Sequence, residues 1–430
     1  VATILVVASA VVPCVFTTRL DDVFTLPKLV ALWGATVLAL AVLCVGAVLR
    51  GRAVLAIAPA RAVDVALLAF LGWNVVAFVT STDHHQSLFG ERYQYQGLLT
   101  FALYAAAFLL ARVAFRRRSR ILPWLFVGVA VGGVLVAAYA LVQKVGLDPI
   151  WHGFLPAGRV FSSLGQSNSL AAYLALTIPV TAFLCWRSTG RLRVAAFVAF
   201  AAELVALVFT YSRGGYLAVL VMLPVAAIVG ARDVRRNLRR VLGVAGVAVV
   251  LVALLWVAVR PVGAQLDRSW NRLVSSTDTG ELSVRTHLDL WNVALDITRA
   301  HPLVGTGLET YPDQFPTYIH TLPYFRAVNL SQYRIESPHD VPLAIASGAG
   351  LPALAAYLAL LGAVATVLVR AARSDPSPER RWWFAALVTA LAAHVVTDSF
   401  MTADLLTTWL FWMLMGAGVA VAVRSRPVRS

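Results

Sequence analysis

Four polar stretches in an otherwise apolar chain hold the residue types that phosphate and hydroxyl chemistry require. They are AGRVFSSLGQSN (157–168), TYSRGGYLAVL (210–220), SVRTHLDLW (283–291) and ESPHDVPL (336–343). Arg213 sits in a turn of a few residues between two apolar runs. Its guanidinium suits a bidentate grip on an anionic group, which lysine cannot match. It equally suits snorkelling to lipid phosphate. Arg159 and Asn168 lie in a loop of Gly, Ser and Asn that supplies turn backbone and neutral hydrogen-bonding groups, and an ordinary loop accounts for it as well. Arg285 falls in the first turn of a predicted helix with Asp289 four residues on, the spacing of a plain surface pair of small value. Taken together, three arginines facing a headgroup zone make a diphosphate clamp, each charged hydrogen bond contributing roughly 1.5–3 kcal/mol. No D-x-D triplet occurs, so these arginines, and not a metal, would carry the phosphate charge. No metal site or cofactor is expected.

In ESPHDVPL the tetrad SPHD reads as a helix start, with Ser337 as N-cap, Pro338 first and Asp340 closing an S-x-x-D box. Pro342 makes a start at Asp340 equally acceptable. Either way His339 meets a helix N-terminus that disfavours imidazolium, while Asp340 pulls the other way. A largely neutral imidazole is expected, either as a base or as a local helix-start contact. Glu203 and His394 fall inside apolar runs, where ionisable groups are costly and mark function or a buried structural contact. His84, His85, His152, His301 and His320 lack metal-ligand spacing and read as loop residues.

The elements that must position these groups are membrane helices. The chain has 430 residues, 60% hydrophobic and 13% charged, with apolar runs longer than the roughly 20 residues needed to cross a bilayer. Twelve candidate spans fall at 1–18, 27–49, 62–80, 97–115, 121–143, 169–186, 194–210, 214–230, 241–260, 352–371, 384–400 and 404–423. The opening VATILVVASAVVPC reads as a retained first span, not a cleaved leader. Net charge is +15, and Lys28 and Lys144 are the only lysines. In a membrane protein this excess is a topology signal, and nucleic acid need not be invoked. Most of the 36 basic residues fall in one set of alternate loops, which places that set and both termini in the cytoplasm. The other face then carries the four polar stretches and one long segment, 261–339. The expected organisation is spans over 1–260, an external helical subdomain over 261–339 and spans over 340–430. Within that subdomain a helix is predicted from after Ser283 to the His301-Pro302 pair, with apolar stripes at Leu288, Trp291, Leu295 and at Leu290, Val293, Ile297. The aromatic residues Tyr311, Phe315, Tyr318 and Tyr324 suit either the interfacial belt or a cap that stacks on sugar. Cys14, Cys44 and Cys185 fall in apolar segments without a disulfide or metal pattern.

In order along the chain there is a Gly-Arg and Ser-Asn loop, then Ser-Arg-Gly between two spans. An Arg and Trp helix follows, then HPLVGTGLETY, then His339 with GAGLP downstream. This series resembles the O-antigen ligase and polymerase superfamily over about 157–360, and the twelve-span layout extends the likeness. The resemblance implies an all-α membrane glycosyltransferase of GT-C-like architecture in a bacterial inner membrane, with its active site on the outer face. It implies transfer of a glycan from an undecaprenyl-diphosphate carrier to the hydroxyl of a glycolipid, glycan or protein acceptor, without metal. Carried over, Arg213 and Arg285 would bind the carrier diphosphate and His339 would be the general base, with Arg159 and Asn168 matching the earlier loop. One departure is Asp340, where the family often has Asn or Ser; it would orient the imidazole or raise its pKa. Polymerisation of the glycan and transfer to protein remain alternatives within the superfamily. A transporter of lipid-linked cargo fits twelve spans equally by count, although the single insert and one-sided polar cluster argue against it. A scaffold without chemistry is the remaining rival.

Overall fold

The computed structural model describes residues 1–117, 121–230, 282–321 and 334–424. These residues are helical, with no strand among them. The chain runs through α1 (Ala2–Val11), α2 (Thr25–Arg50), α3 (Arg61–Val79), a short α4 (His84–Phe89), α5 (Leu98–Arg117), α6 (Leu122–Lys144), α7 (Ser167–Arg187), α8 (Gly190–Phe209) and α9 (Arg213–Val229). After the expected span 241–260, which lies outside the described residues, come α10 (Leu282–Ala300), α11 (Tyr311–Tyr318), α12 (Val341–Ser374), α13 (Pro378–Asp398) and α14 (Leu405–Arg424).

Eight of these, α2, α3, α5, α6, α7, α8, α12 and α14, are long and apolar enough to cross a membrane, and α1 and α9 are shorter apolar helices. Their packing explains why nearly all are apolar on every face. Helix α7 is buried almost all round by α6, α8, α9 and α13, and α14 packs along α5. Helices α2, α3 and α8 instead turn large aliphatic side chains such as Val48, Leu68 and Leu192 outward. Contiguous exposed apolar surface on that scale belongs in lipid, and the chain is a multi-pass membrane protein.

Two sets of links gather at the two ends of this bundle. At one end Lys28 Nζ donates to Ser163 O at 2.6 Å, Arg92 pairs with Asp21 at 3.1 Å, and Arg159 Nε donates to Thr210 O at 2.7 Å. At the other, Arg112 pairs with Asp64 and donates to Ala58 O, and Arg187 pairs with Glu379. The four polar stretches all lie at the first end. Glu203 and His394 are interior contacts between helices. Glu203 accepts from Thr181 Oγ1 at 3.0 Å in a recess beside Gly133, whose added Cβ would overlap the carboxyl. His394 lies 3.3 Å from Asp398 and 4.3 Å from the Phe411 ring.

The predicted external helix is α10, and of its two stripes the buried one is Leu290, Val293 and Ile297. With Tyr311 and Phe315 of α11 these form a small core of their own, joined by Leu343 from α12. The Tyr311 hydroxyl donates to Leu290 O at 2.9 Å. Tyr311 and Phe315 are thus core residues, and Tyr324 lies outside the described residues. The external pieces are tied to the α3–α5 link. Thr82 Oγ1 donates to Thr306 O, Ser87 Oγ to Leu308 O and Gln86 Nε2 to Glu309 O, all at 2.6–2.9 Å.

One expectation needs correcting. The span placed at 352–371 begins eleven residues earlier, at Val341, and is interrupted at Gly350, where φ is +83°. Ser, Gly and Ala dilute the hydropathy of 341–350, which hid this turn of chain from an apolar count. The segment 302–307 docks into the break. Gly307 N donates to Gly348 O at 2.8 Å, Thr306 N to Ser347 O at 3.1 Å, and Leu351 N to Pro302 O at 2.8 Å. These bonds satisfy backbone groups that the break frees. A Cβ at Gly350 would strike the Leu303 carbonyl, and left-handed backbone costs a non-glycine residue roughly 1–2 kcal/mol by itself. Gly350→Ala is therefore expected to lower the detergent-solubilised protein's unfolding midpoint, measured by scanning fluorimetry. Gly362→Ala, in the same helix with open space around it, should not.

Candidate functional site

The site is built from five segments that approach at one end of the bundle. Arg159 joins the first two. Its Nε donates to Thr210 O at 2.7 Å and its terminal nitrogen to Asn168 Oδ1 at 2.6 Å, while Val160 N donates to Phe209 O at 3.2 Å. The loop 157–168 is thereby held against the turn that launches α9. Ser212 is the N-cap of α9, accepting from Gly215 N, so Arg213 is the first helical residue. A helix start offers orphan N–H groups and partial positive charge to an anion. Arg213 adds a full charge at the same place.

Arg159, Asn168 and Arg213 share the wall of a cavity of about 400 Å³. The rest of the lining includes Val284, His287, Leu288 and Trp291 of α10, together with Phe400 and Met401. The Trp291 and Phe400 rings lie 6.2 Å apart, and His287 stands 6.5 Å from Trp291, edge to face. The lining combines cationic and apolar groups. Such a cavity suits a ligand with an anionic group beside a flat or greasy one.

His339 stands just behind this wall, its ring 5.7 Å from that of His287. Its backbone is left-handed, φ +53°, an uncommon state for a residue with a side chain. Two hydroxyls hold it there. Its N–H donates to Ser337 Oγ at 3.2 Å, and Nδ1 is 2.9 Å from Thr402 Oγ1. Burial, with a smaller contribution from His287, pushes the imidazole down to about 4, so it is neutral near pH 7. With Nδ1 engaged by Thr402, Nε2 is the nitrogen left for a substrate proton.

On its other side lies a second, smaller cavity of about 60 Å³, lined by Ser337, Asp340, Thr402, Glu309 and Asp398 among others. Asp340 is the N-cap of α12, accepting from Leu343 N at 2.7 Å, and burial raises its carboxyl to about 6. Glu309, left-handed at φ +60°, is pushed up to about 8 by burial, with Glu91 and Glu336 adding to it.

All the sequence-predicted site residues fall at this end, but not equally. Arg159, Asn168 and Arg213 line the large cavity, and His339 adjoins it through His287. Arg285 is exposed on α10 and is not a wall residue, although Val284 and Leu288 beside it are. The later of the two helix starts is the real one, since Ser337 pairs with Thr402 at 2.5 Å and does not cap α12. Asp340 does not orient the imidazole or raise its pKa. One of its carboxylate oxygens caps the helix, Thr402 does the orienting, and burial drives the imidazole downward. His287, Glu309 and Thr402 escaped sequence reasoning. His287 was detectable, because 284, 287, 288 and 291 form one helical stripe.

Residues 198–358 match the family model described as O-Antigen ligase. The chain carries an O-antigen ligase domain. The match supports the O-antigen ligase and polymerase superfamily for that segment, and the chain as a whole is a multi-pass membrane protein. The matched segment runs from α8 into α12, so it includes Arg213, Arg285, His287 and His339, while Arg159, Asn168 and Thr402 lie outside it. No curated protein matches the chain.

The two shifted groups beside each other in this ligase-family domain have opposite signs in stability. The unfolded imidazole takes its proton near 6.5, so His339 withdraws stability as pH falls from there toward 4. The raised Asp340 carboxyl contributes stability below 3.8 and loses it as pH rises through about 6. Relative to the parent protein, the unfolding midpoint of Asp340→Asn should therefore climb between pH 4 and 6, and that of His339→Gln should fall.

Proposed function

We propose that this ligase-family protein transfers a glycan from an undecaprenyl-diphosphate carrier to an acceptor hydroxyl on the outer face of a bacterial inner membrane, with His339 as general base. The observation that carries the reading is the cavity in which Arg159 and Arg213 share a wall and His339 stands across from them behind His287. Two needs of the reaction are met there. A departing diphosphate requires fixed positive charge where charge develops. A sugar hydroxyl requires a neutral base at hydrogen-bond reach. The acceptor O–H proton passes to His339 Nε2 as the oxygen bonds to the anomeric carbon. The bond from that carbon to the carrier phosphate breaks, and its electron pair leaves on the diphosphate.

Arg213, at the start of α9, is the principal phosphate ligand, and Arg159 supports it while bracing Asn168. Arg285, exposed beside the cavity mouth, serves the donor's outer phosphate or the headgroup zone. Trp291 and Phe400 offer aromatic faces to the first sugar and exclude water that would hydrolyse the donor. The loops bearing these groups are the arginine-poor set, which supports an external site and cytoplasmic termini. Transfer of a finished chain to a lipid or protein acceptor is favoured over polymerisation.

The reading is tested in proteoliposomes with an undecaprenyl-diphosphate-linked oligosaccharide as donor and lipid A–core as acceptor. His339→Ala should abolish transfer, and Arg213→Lys should slow it at least about a hundredfold, the cost of losing one directed donor at a developing charge. Chelator should leave the rate unchanged. A single addition marks a ligase and a ladder of products a polymerase. Undiminished transfer by the His339 variant would remove its assignment as base.

A further inference from the structure

The hydrogen bond that fixes His339 does not stop at Thr402. Thr402 Oγ1 is 2.9 Å from His339 Nδ1 and 2.5 Å from Ser337 Oγ. Ser337 Oγ also accepts from the His339 N–H at 3.2 Å. With the imidazole carrying its hydrogen on Nδ1, each group donates in one direction. Nδ1–H points to Thr402, the Thr402 hydroxyl to Ser337, and the Ser337 hydroxyl is left to donate onward. Both hydroxyls belong to the wall of the 60 Å³ cavity, and the carboxylate of Asp340 is on the same wall. That space is polar and has room for a bridging water.

We propose that Thr402 and Ser337 form a proton wire that passes the acceptor's proton from His339, away from the donor cavity, to Asp340. This deepens the function proposed above and rests on His339 being the base. The step balances without another reactant. As the acceptor O–H bond breaks and Nε2–H forms, the Nδ1 proton moves to Thr402, the Thr402 proton to Ser337, and the Ser337 proton reaches the Asp340 carboxylate, directly or through one water. The imidazole ends neutral in its other tautomer, and the half-buried Asp340 returns the proton to the aqueous side.

The surroundings explain why a wire is needed. Among the described residues, the charged and titratable groups beside His339 and on the two cavities flanking it are His287 on α10, Arg159 before α7, Arg213 on α9, Asp340 before α12, Asp398 on α13, and Glu309 before α11. Burial and His287 make the His339 cation costly, so the ring is a poor place to store a proton. Of Asp340 and Glu309 in the small cavity, Asp340 at about 6 is ionised near neutrality, while Glu309 at about 8 already holds a proton. Asp340 is then the acceptor and Glu309 the neutral neighbour. Thr402 and Ser337 are positioning residues, acting only through the imidazole.

The test uses the full-length protein in the same donor and acceptor assay. Thr402→Val keeps the side-chain shape without the hydroxyl, and its turnover should fall about tenfold with donor KM unmoved, whereas Thr402→Ser should stay within about twofold of the parent. Asp340→Asn keeps a capping side chain but cannot take a proton. Its turnover should fall likewise, and the acid limb of the parent's rate profile near pH 6 should vanish. Nitrogen NMR of the His339 imidazole, assigned by difference from His339→Gln, should show the Nδ1–H tautomer at neutral pH. This readout needs no turnover. A Thr402→Val protein with parental turnover and pH profile overturns the wire. So does an Asp340→Asn profile that keeps the acid limb, or an imidazole protonated on Nε2. Activity surviving in His339→Ala would instead overturn the base assignment, which separates the two failures.

Discussion

The site depends on one backbone interaction, the docking of residues 302–307 into the break of α12 at Gly350. A broken helix inside a membrane protein exposes N–H and C=O groups that lipid cannot satisfy. Here a neighbouring stretch of chain satisfies them, and the exchange fixes both partners. The docked segment follows α10 directly, and the helix half before the break begins at Asp340, next to His339. The distance between the α10 wall of the cavity and the imidazole is thereby set by main-chain hydrogen bonds. Helices α10 and α11 could not be placed with that accuracy by their small apolar core alone.

Within this frame the cationic and the basic parts of the site are supported separately. Arg159 ties the loop before α7 to the turn before α9, so Arg213 emerges from a braced helix start. His339 is held by hydroxyls from its own loop and from the α13–α14 link. A left-handed histidine stores strain, and such strain persists only where surrounding contacts over-determine it. The separation means that Arg213 and His339 are anchored by different elements of the bundle.

Much of this was legible in the sequence. The α10 helix, most of the spans and the gathering of the four polar stretches at one end follow from periodicity, apolar run length and arginine distribution. The start of α12 at Asp340 was readable from its capping residues, but its continuity with the span at 352–371 was not, because small residues between Val341 and Gly350 mask a helix that is buried against protein and so need not be strongly apolar. Thr402 carried no signal at all: a threonine in a short link becomes meaningful only when the fold sets it beside Ser337 and His339. Asp340 misled for a related reason. Adjacency in sequence suggested a partner for the imidazole, yet the helix turned its carboxylate to its own first amides. Spacing reports which residues share a face, and it is silent on contacts between distant segments.

The cavity beside Arg159 and Arg213 also has a limited size. About 400 Å³, among the described residues, has room for a diphosphate and the first sugar or two, and for little else of a long polyprenyl-linked chain. On the proposed reading the protein therefore inspects only the junction between lipid and glycan. Everything farther along the polysaccharide hangs outside, where it neither gains nor loses contacts. An enzyme built this way is blind to chain length and tolerant of distal sugar composition. Any control over how long the product grows would have to be exercised before the donor arrives.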